Sequence, residues 1–274
     1  MLQLPALPPS IRILTSDETE RLRNLNFDLP TSVTNCVTCR GRKVFRWWDF
    51  KGDNPVDYEC DCESQFILSR FLLNAGIEKH YQRLSWADAT GVAKEAFPVI
   101  DDYIKNCDRY VSAGLGLVLF GKYGTGKTML AVLLLKSVLS KGVDGYFTTF
   151  HTMLDLFTAG WKEDSAKVWF DQRIRNAGLL VLDDIGREYD GRNAVAESAL
   201  DHVLRTRVAA DRPTILTTNR TLEELATLYS GNAVSLLSEC TISYEFKGED
   251  YRPQLQERTR SEALEELTRP LTLT

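Results

Sequence analysis

The feature that most narrows what this chain can fold into is one run, Gly121-Lys122-Tyr123-Gly124-Thr125-Gly126-Lys127-Thr128. It follows the apolar stretch LGLVLFG at 115–121 and leads into TMLAVLLLKSVLSK, a stretch that reads as a helix. A G-x-x-x-x-G-K-T run between strand and helix is the pattern of a phosphate-binding loop. Its glycines let backbone N–H groups wrap a polyphosphate, and the helix beginning there adds the positive end of its dipole. Lys127 would neutralise the β- and γ-phosphates, and the Thr128 hydroxyl would ligate Mg²⁺. Gly121, Gly124, Thr125, Gly126, Lys127 and Thr128 are therefore the candidate nucleotide-binding residues.

Two later segments complete a site of that kind. LLVLDD at 179–184 reads as a buried strand ending in two carboxylates, with Asp183 lying 56 residues after Lys127. Acidic groups at the C-terminal edge of an open α/β sheet stand where ligands bind. Asp183 suits the magnesium ion through water, and Asp184 suits the orientation or deprotonation of an attacking water. A helix cap is the plainer reading of Asp184. TILTTN at 214–219 ends on Asn219, 36 residues past Asp183, an uncharged amide able to contact the γ-phosphate and position water. Lys127, Asp184 and Asn219 are the candidate catalytic residues.

The remaining pattern sets the architecture. GYFTTF at 145–150 and TISYEF at 241–246 read as further strands, separated from the others by helical stretches such as AVAESALDHVLRTRVAA, where Asp201 and Arg205 can pair. Apolar strands alternating with helices predict an α/β fold with a parallel sheet covered on both faces. The sequence also predicts a helix over ESQFILSRFLLNAGIEKHY, ended by Gly76, and a small, polar linker, ADATGVAKEA, at 87–96.

Four of the six cysteines cluster: Cys36 and Cys39, then Cys60 and Cys62, while Cys107 and Cys240 stand alone. Such knuckles predict a closed site for structural Zn²⁺, with free thiols as the alternative. Between them runs RGRKVFRWWDFKG, read as a loop, in which Arg40, Arg42, Lys43 and Arg46 interleave with Phe45, Trp47 and Trp48. Cations with flat aromatics suit single-stranded nucleic acid; a small ribbon core with solvated basic residues is the plainer reading. The three histidines, His80, His151 and His202, lie in separate segments and read as structural or surface residues. A net charge of −5 makes any nucleic-acid surface a local patch rather than a property of the whole chain. The opening MLQLPALPPS lacks the basic start of a secretory signal and no apolar run approaches a membrane span, so the expected location is the cytoplasm.

GKYGTGKT, LLVLDDIG and ILTTN, in this order behind a cysteine module, resemble the DnaC/DnaI family of AAA+ replicative helicase loaders, the phage-type members above all, with the transposition helper IstB as a cousin. The resemblance covers roughly residues 60–255. It implies an AAA+ P-loop domain of five parallel strands, which the linker composition places at 97–274; the residues before it divide into an N-terminal extension at 1–33, a zinc-ribbon-like module at 34–64, and a helix and linker at 65–96. Only 28 residues follow the fifth strand, which implies no separate lid domain. The resemblance further implies ATP and Mg²⁺ as cofactors, ATP hydrolysis, and an ATP-dependent homo-oligomer; a departure from the family, the absence of arginines on the segment before the fifth strand, predicts that hydrolysis is slow and partner-stimulated. The implied partners are a hexameric replicative helicase, docked by the N-terminal part of the chain, and single-stranded DNA, in a host cytoplasm if the chain is phage-encoded. A transposition-helper ATPase and a small-molecule P-loop kinase are the alternatives. Members of the loader family carry arginines on the segment before the fifth strand, about where Ala233 and Leu237 stand here. Arg205, Arg207 and Arg252 are the candidates to replace them, unless a partner supplies the cation.

Overall fold

The computed structural model describes residues 44–48, 55–59, 68, 71–89, 94–186, 194–229, 231–264, 271 and 273. Cys36, Cys39, Cys60 and Cys62 lie outside the described residues, as do Arg40, Arg42 and Lys43. Part of the basic-aromatic run between the cysteine pairs is a strand rather than a loop. β1 (Val44–Trp48) pairs antiparallel with β2 (Pro55–Glu59), Val44 opposite Glu59 and Trp48 opposite Pro55. Val, Phe, Trp and Tyr favour the extended backbone, and that signal outweighs the turn character of the flanking residues.

The main sheet holds β3 (Gly116–Gly121), β4 (Gly145–Thr149), β5 (Leu179–Ile185), β6 (Thr214–Thr218) and β7 (Thr241–Phe246). Its order is β4-β5-β6-β3-β7, and every pairing is parallel. The phosphate loop thus leaves the sheet between β6 and β7, and β5 and β6 bring their C-terminal ends beside it. β3, β5 and β6 are buried along nearly their whole length because helices cover both faces, which is why they read as continuous apolar runs.

One face is covered by α4 (Lys127–Ser140), by α2 (Phe97–Lys105) and α3 (Cys107–Ser112), and by the segment 71–89 containing the short helix α1 (Lys79–Gln82). The other face carries α5 (Phe150–Ala159), α6 (Asp164–Phe170), α7 (Ala194–Val208), α8 (Leu222–Leu228) and α9 (Gly231–Cys240). α10 (Arg252–Leu264) follows β7. Ile77 N–H donates to Leu72 C=O and Gly76 N–H to Leu73 C=O, which closes the helical turn where glycine predicts an end. Ala75 C=O then accepts from Phe147 N–H and occupies part of the β4 edge. The ends of the expected linker are packed: Ala89 and Ala96 are fully buried in the same cluster as Leu117 and Leu130. Small residues there permit close approach, of 86–89 to α4 and of 94–96 to β7, which composition alone makes indistinguishable from linker character.

Asp201 accepts from Arg205 Nε at 2.7 Å on α7, as the i, i+4 spacing predicts. Cys107 and Cys240 are free thiols. Among the described residues no helix is long and apolar enough to cross a membrane, and no group of three or more metal-ligating side chains occurs.

Candidate functional site

A cleft of about 610 Å³ opens at the C-terminal ends of β3, β5 and β6. Its floor is the loop from Tyr123 to Thr128. Gly126, the N-cap of α4, has φ 89°, a left-handed conformation that a side chain disfavours. Gly124 has φ 73°, and a Cβ there would stand 1.8 Å from Asp250 Oδ1. That approach exists because the segment after β7 docks on the loop: Tyr251 N–H donates to Gly124 C=O at 2.9 Å, and Asp250 Oδ1 accepts from Arg252 N–H at 2.9 Å.

Lys127 is buried and folded onto its own loop. Its Nζ donates to Gly121 C=O at 2.9 Å, Lys122 C=O at 2.6 Å and Thr125 Oγ1 at 3.3 Å. Burial pushes the ammonium down to about 8, against the opposing pull of Asp183 and Asp184. The loop therefore holds a cation on acceptors that phosphate oxygens can replace.

The acidic strand end is drawn together by hydroxyls. Asp183 Oδ1 accepts from Thr128 Oγ1 at 2.7 Å and from Thr217 Oγ1 at 2.5 Å. Burial pushes the Asp183 carboxyl up, the Thr217 and Thr128 hydrogen bonds pull it back, and the neighbouring Asp184 charge adds to the rise. A carboxylate joined to the threonine hydroxyl of the phosphate loop is the oxygen-donor set that Mg²⁺ takes. The β5–β6 register slips between Leu182 and Ile185, and Asp184 adopts φ 60° at that irregularity. The slip turns Asp184 to where its N–H donates to Thr217 Oγ1 at 3.0 Å and its Oδ1 accepts from Asn219 Nδ2 at 2.9 Å. The two carboxylates thus have separate partners, which is the condition for separate chemical tasks.

All the candidate residues of the three motifs come together around this cleft except that Gly121 stands behind it, as an acceptor for Lys127. Three contributors escaped sequence reasoning. Thr217 was visible only as part of a polar strand end, and Tyr81 and Tyr251 line the cleft from segments distant in sequence. Of the candidate arginines, Arg252 lines the cleft. Arg205 is exposed and paired with Asp201. Arg207 cannot serve: it is fully buried and donates to Ile174, Ala177 and Pro213 carbonyls and to Thr214 Oγ1, clamping the turn before β5 to the start of β6.

Residues 101–258 match the family of IstB-like ATP binding proteins. The chain belongs to that family. It is the one the motifs place beside the DnaC/DnaI loaders. A Mycobacterium tuberculosis (strain ATCC 25618 / H37Rv) protein described as ATP-binding in an insertion sequence is 33% identical over 116 residues, 41% of this chain and 43% of that protein. The ATP-dependent zinc metalloprotease FtsH of Malacoplasma penetrans (strain HF-2) is 25% identical over 134 residues, 45% of this chain and 16% of that protein. The chain therefore spans less than half the length of either relative. Among solved structures, DnaI aligns with a TM-score of 0.54 at 18% identity, covering 62% of this chain and 94% of that one. That likeness is one of fold, a parallel α/β sheet with helices on both faces.

Proposed function

We propose that this IstB-like chain is an ATP-hydrolysing switch that binds a hexameric replicative helicase and delivers it to single-stranded DNA. The observation that carries hydrolysis is the division of labour at the end of β5, where Asp183 is tied to Thr128 and Asp184 to Asn219. Backbone N–H groups from Gly124 to Thr128 wrap the phosphates, and Lys127 exchanges its loop carbonyls for phosphate oxygens. A magnesium ion held by Thr128 and Asp183 would neutralise charge developing on those oxygens. Asp184 takes the proton of the attacking water, and Asn219 fixes the direction from which it does so. Arg252 adds positive charge beside Lys127 from the same chain.

The choice of a helicase as partner rests on the motif order behind a four-cysteine module. A second reading, a helper ATPase acting on duplex DNA with a transposase, is favoured by the family match and by the insertion-sequence relative. The family match lends nothing to a small-molecule kinase. Gel filtration of the purified chain with a replicative helicase, and separately with a transposase, with and without ATP, separates the two readings. Co-elution with helicase and preference for single-stranded oligonucleotide support loading; co-elution with transposase and preference for duplex refute it. We further propose that Cys36, Cys39, Cys60 and Cys62 hold one structural Zn²⁺. Metal analysis of freshly purified protein tests this, and a chain free of zinc refutes it.

A further inference from the structure

Tyr81 stands in the nucleotide cleft with no part in the chemistry above. It belongs to α1 and lines the cleft together with Lys127, Thr128, Asp183 and Asp184. Its ring meets Phe147 edge-on, centroids 5.7 Å apart. Phe147 is in register with Val181, and Thr149 of the same strand with Asp183. Tyr81 therefore enters the cleft on the carboxylate side, whereas Tyr251 and Arg252 enter on the segment tied to Gly124. Packing against Phe147 alone would be served by phenylalanine, so the hydroxyl needs another reason.

The backbone just after Tyr81 is held by an unusual anchor. Lys136 is fully buried in the apolar helix α4, between Leu135 and Ser137, and donates to Gln82 C=O at 2.9 Å and Leu84 C=O at 2.8 Å. Gln82 Nε2 turns back to Ile77 C=O at 2.9 Å, and Trp86 Nε1 donates to Ser137 Oγ at 3.1 Å. A buried ammonium is tolerated only where its donors are used. Here it joins the segment bearing Tyr81 to the helix that begins with Lys127 and Thr128, so the two sides of the cleft are tied to each other. Burial and the charges of Asp183, Glu78 and Asp184 push the phenol up to about 12.

We propose that Tyr81 is a further contact residue of the nucleotide site, its O–H donating to an oxygen of the magnesium–phosphate cluster beside Asp183 and Asp184, and that Lys136 is the positioning residue that keeps it there. The proposal rests on the cleft being the nucleotide site. It is tested on the full chain by titrating a fluorescent ATP analogue with and without Mg²⁺, and by measuring steady-state hydrolysis. A hydrogen bond to a charged group corresponds to roughly tenfold or more in an equilibrium or a rate. Tyr81→Phe should keep the magnesium-free affinity and the thermal midpoint, and lose roughly tenfold in kcat or in the affinity gained with Mg²⁺. Lys136→Met should give a similar loss, and the double variant little more, because both act through one contact. Wild-type values for Tyr81→Phe in both measurements overturn the contact. A folded Lys136→Met with wild-type values overturns the positioning role. Should the wild type fail to hydrolyse ATP, the hydrolysis reading falls while the magnesium titration still decides Tyr81.

Discussion

Thr217→Val tests the construction of the acidic centre most sharply, because valine matches threonine in shape and removes only the hydroxyl. That hydroxyl is engaged twice, donating to Asp183 Oδ1 at 2.5 Å and accepting from Asp184 N–H at 3.0 Å. No cavity opens in a residue that is 2% exposed, so the loss is electrostatic. A hydrogen bond to an ionised group contributes about 1.5–3 kcal/mol, or ~10–150-fold in an affinity that depends on it. Thr128 continues to donate to the same oxygen, which argues for the lower end, about tenfold. The sign with pH follows from the same contacts. Burial raises the Asp183 carboxyl and Thr217 lowers it, so the valine variant protonates at higher pH. Metal binding needs the ionised form, and Mg²⁺-dependent nucleotide affinity should therefore decline earlier on acidification than in the wild type. Titration of a fluorescent ATP analogue across an acidic-to-neutral pH series, with and without Mg²⁺, measures both effects. A folded Thr217→Val chain with wild-type Mg²⁺ dependence at every pH would refute the reasoning.

Three other outcomes are expected. Arg207→Ala should cost about 4 kcal/mol or more of an expected ~5–15 kcal/mol of stability, since Ile174 C=O, Ala177 C=O and Thr214 Oγ1 lose a buried donor; urea denaturation measures it, and a loss under ~1 kcal/mol contradicts the clamp. Asp184→Asn keeps a residue that tolerates φ 60° and should bind ATP normally while hydrolysing it ~10²-fold or more slowly; unchanged turnover moves the proton-accepting role elsewhere. Arg252→Ala should weaken ATP binding, whereas Arg205→Ala, which removes an exposed pair with Asp201, should leave it within about twofold.

The phosphate loop, the acidic strand end and Asn219 were legible because each couples residue chemistry to an element boundary, and boundaries between apolar runs and glycine or polar clusters are local. The strands 145–149, 179–185 and 214–218 were legible for the same reason: covered on both faces, they need no alternation to be recognised. What escaped was long-range. Nothing local distinguishes the buried ends of ADATGVAKEA from a linker, because burial is conferred by distant elements, α4 at the Ala89 end and β7 at the Ala96 end. Tyr81 and Tyr251 reach one cleft from segments 170 residues apart, a proximity that only the sheet order creates. Lys136 inside LLLKSVL was a local anomaly that could have been noticed: a lysine within an apolar helix demands acceptors, and they are the carbonyls beside α1. In the strand Val44–Trp48 the β-branched and aromatic residues favour extended backbone, a signal obscured by Arg46 and the basic residues that precede it, which suggest a binding loop.

The arginine-free segment before β7 follows from packing. No Lys or Arg occurs between Arg220 and Lys247, and α9 buries Ala233 and Leu237, at 0% and 7% exposure, in the same core as Leu200 and Leu204 of α7. An arginine at either position would have to leave that core or be paired within it, so the face is committed to holding the helices together. A described cation that acts on Lys127 from the later part of the chain is Arg252, on a segment whose backbone is hydrogen-bonded to Gly124. A charge so placed stabilises bound phosphate before and after hydrolysis alike, which favours binding over rate. An arginine supplied from outside the site, by contrast, is worth ~10³–10⁵ in turnover where phosphoryl-transfer enzymes use one. We propose on this ground that the chain holds ATP by itself and hydrolyses it quickly only when a partner brings the missing charge.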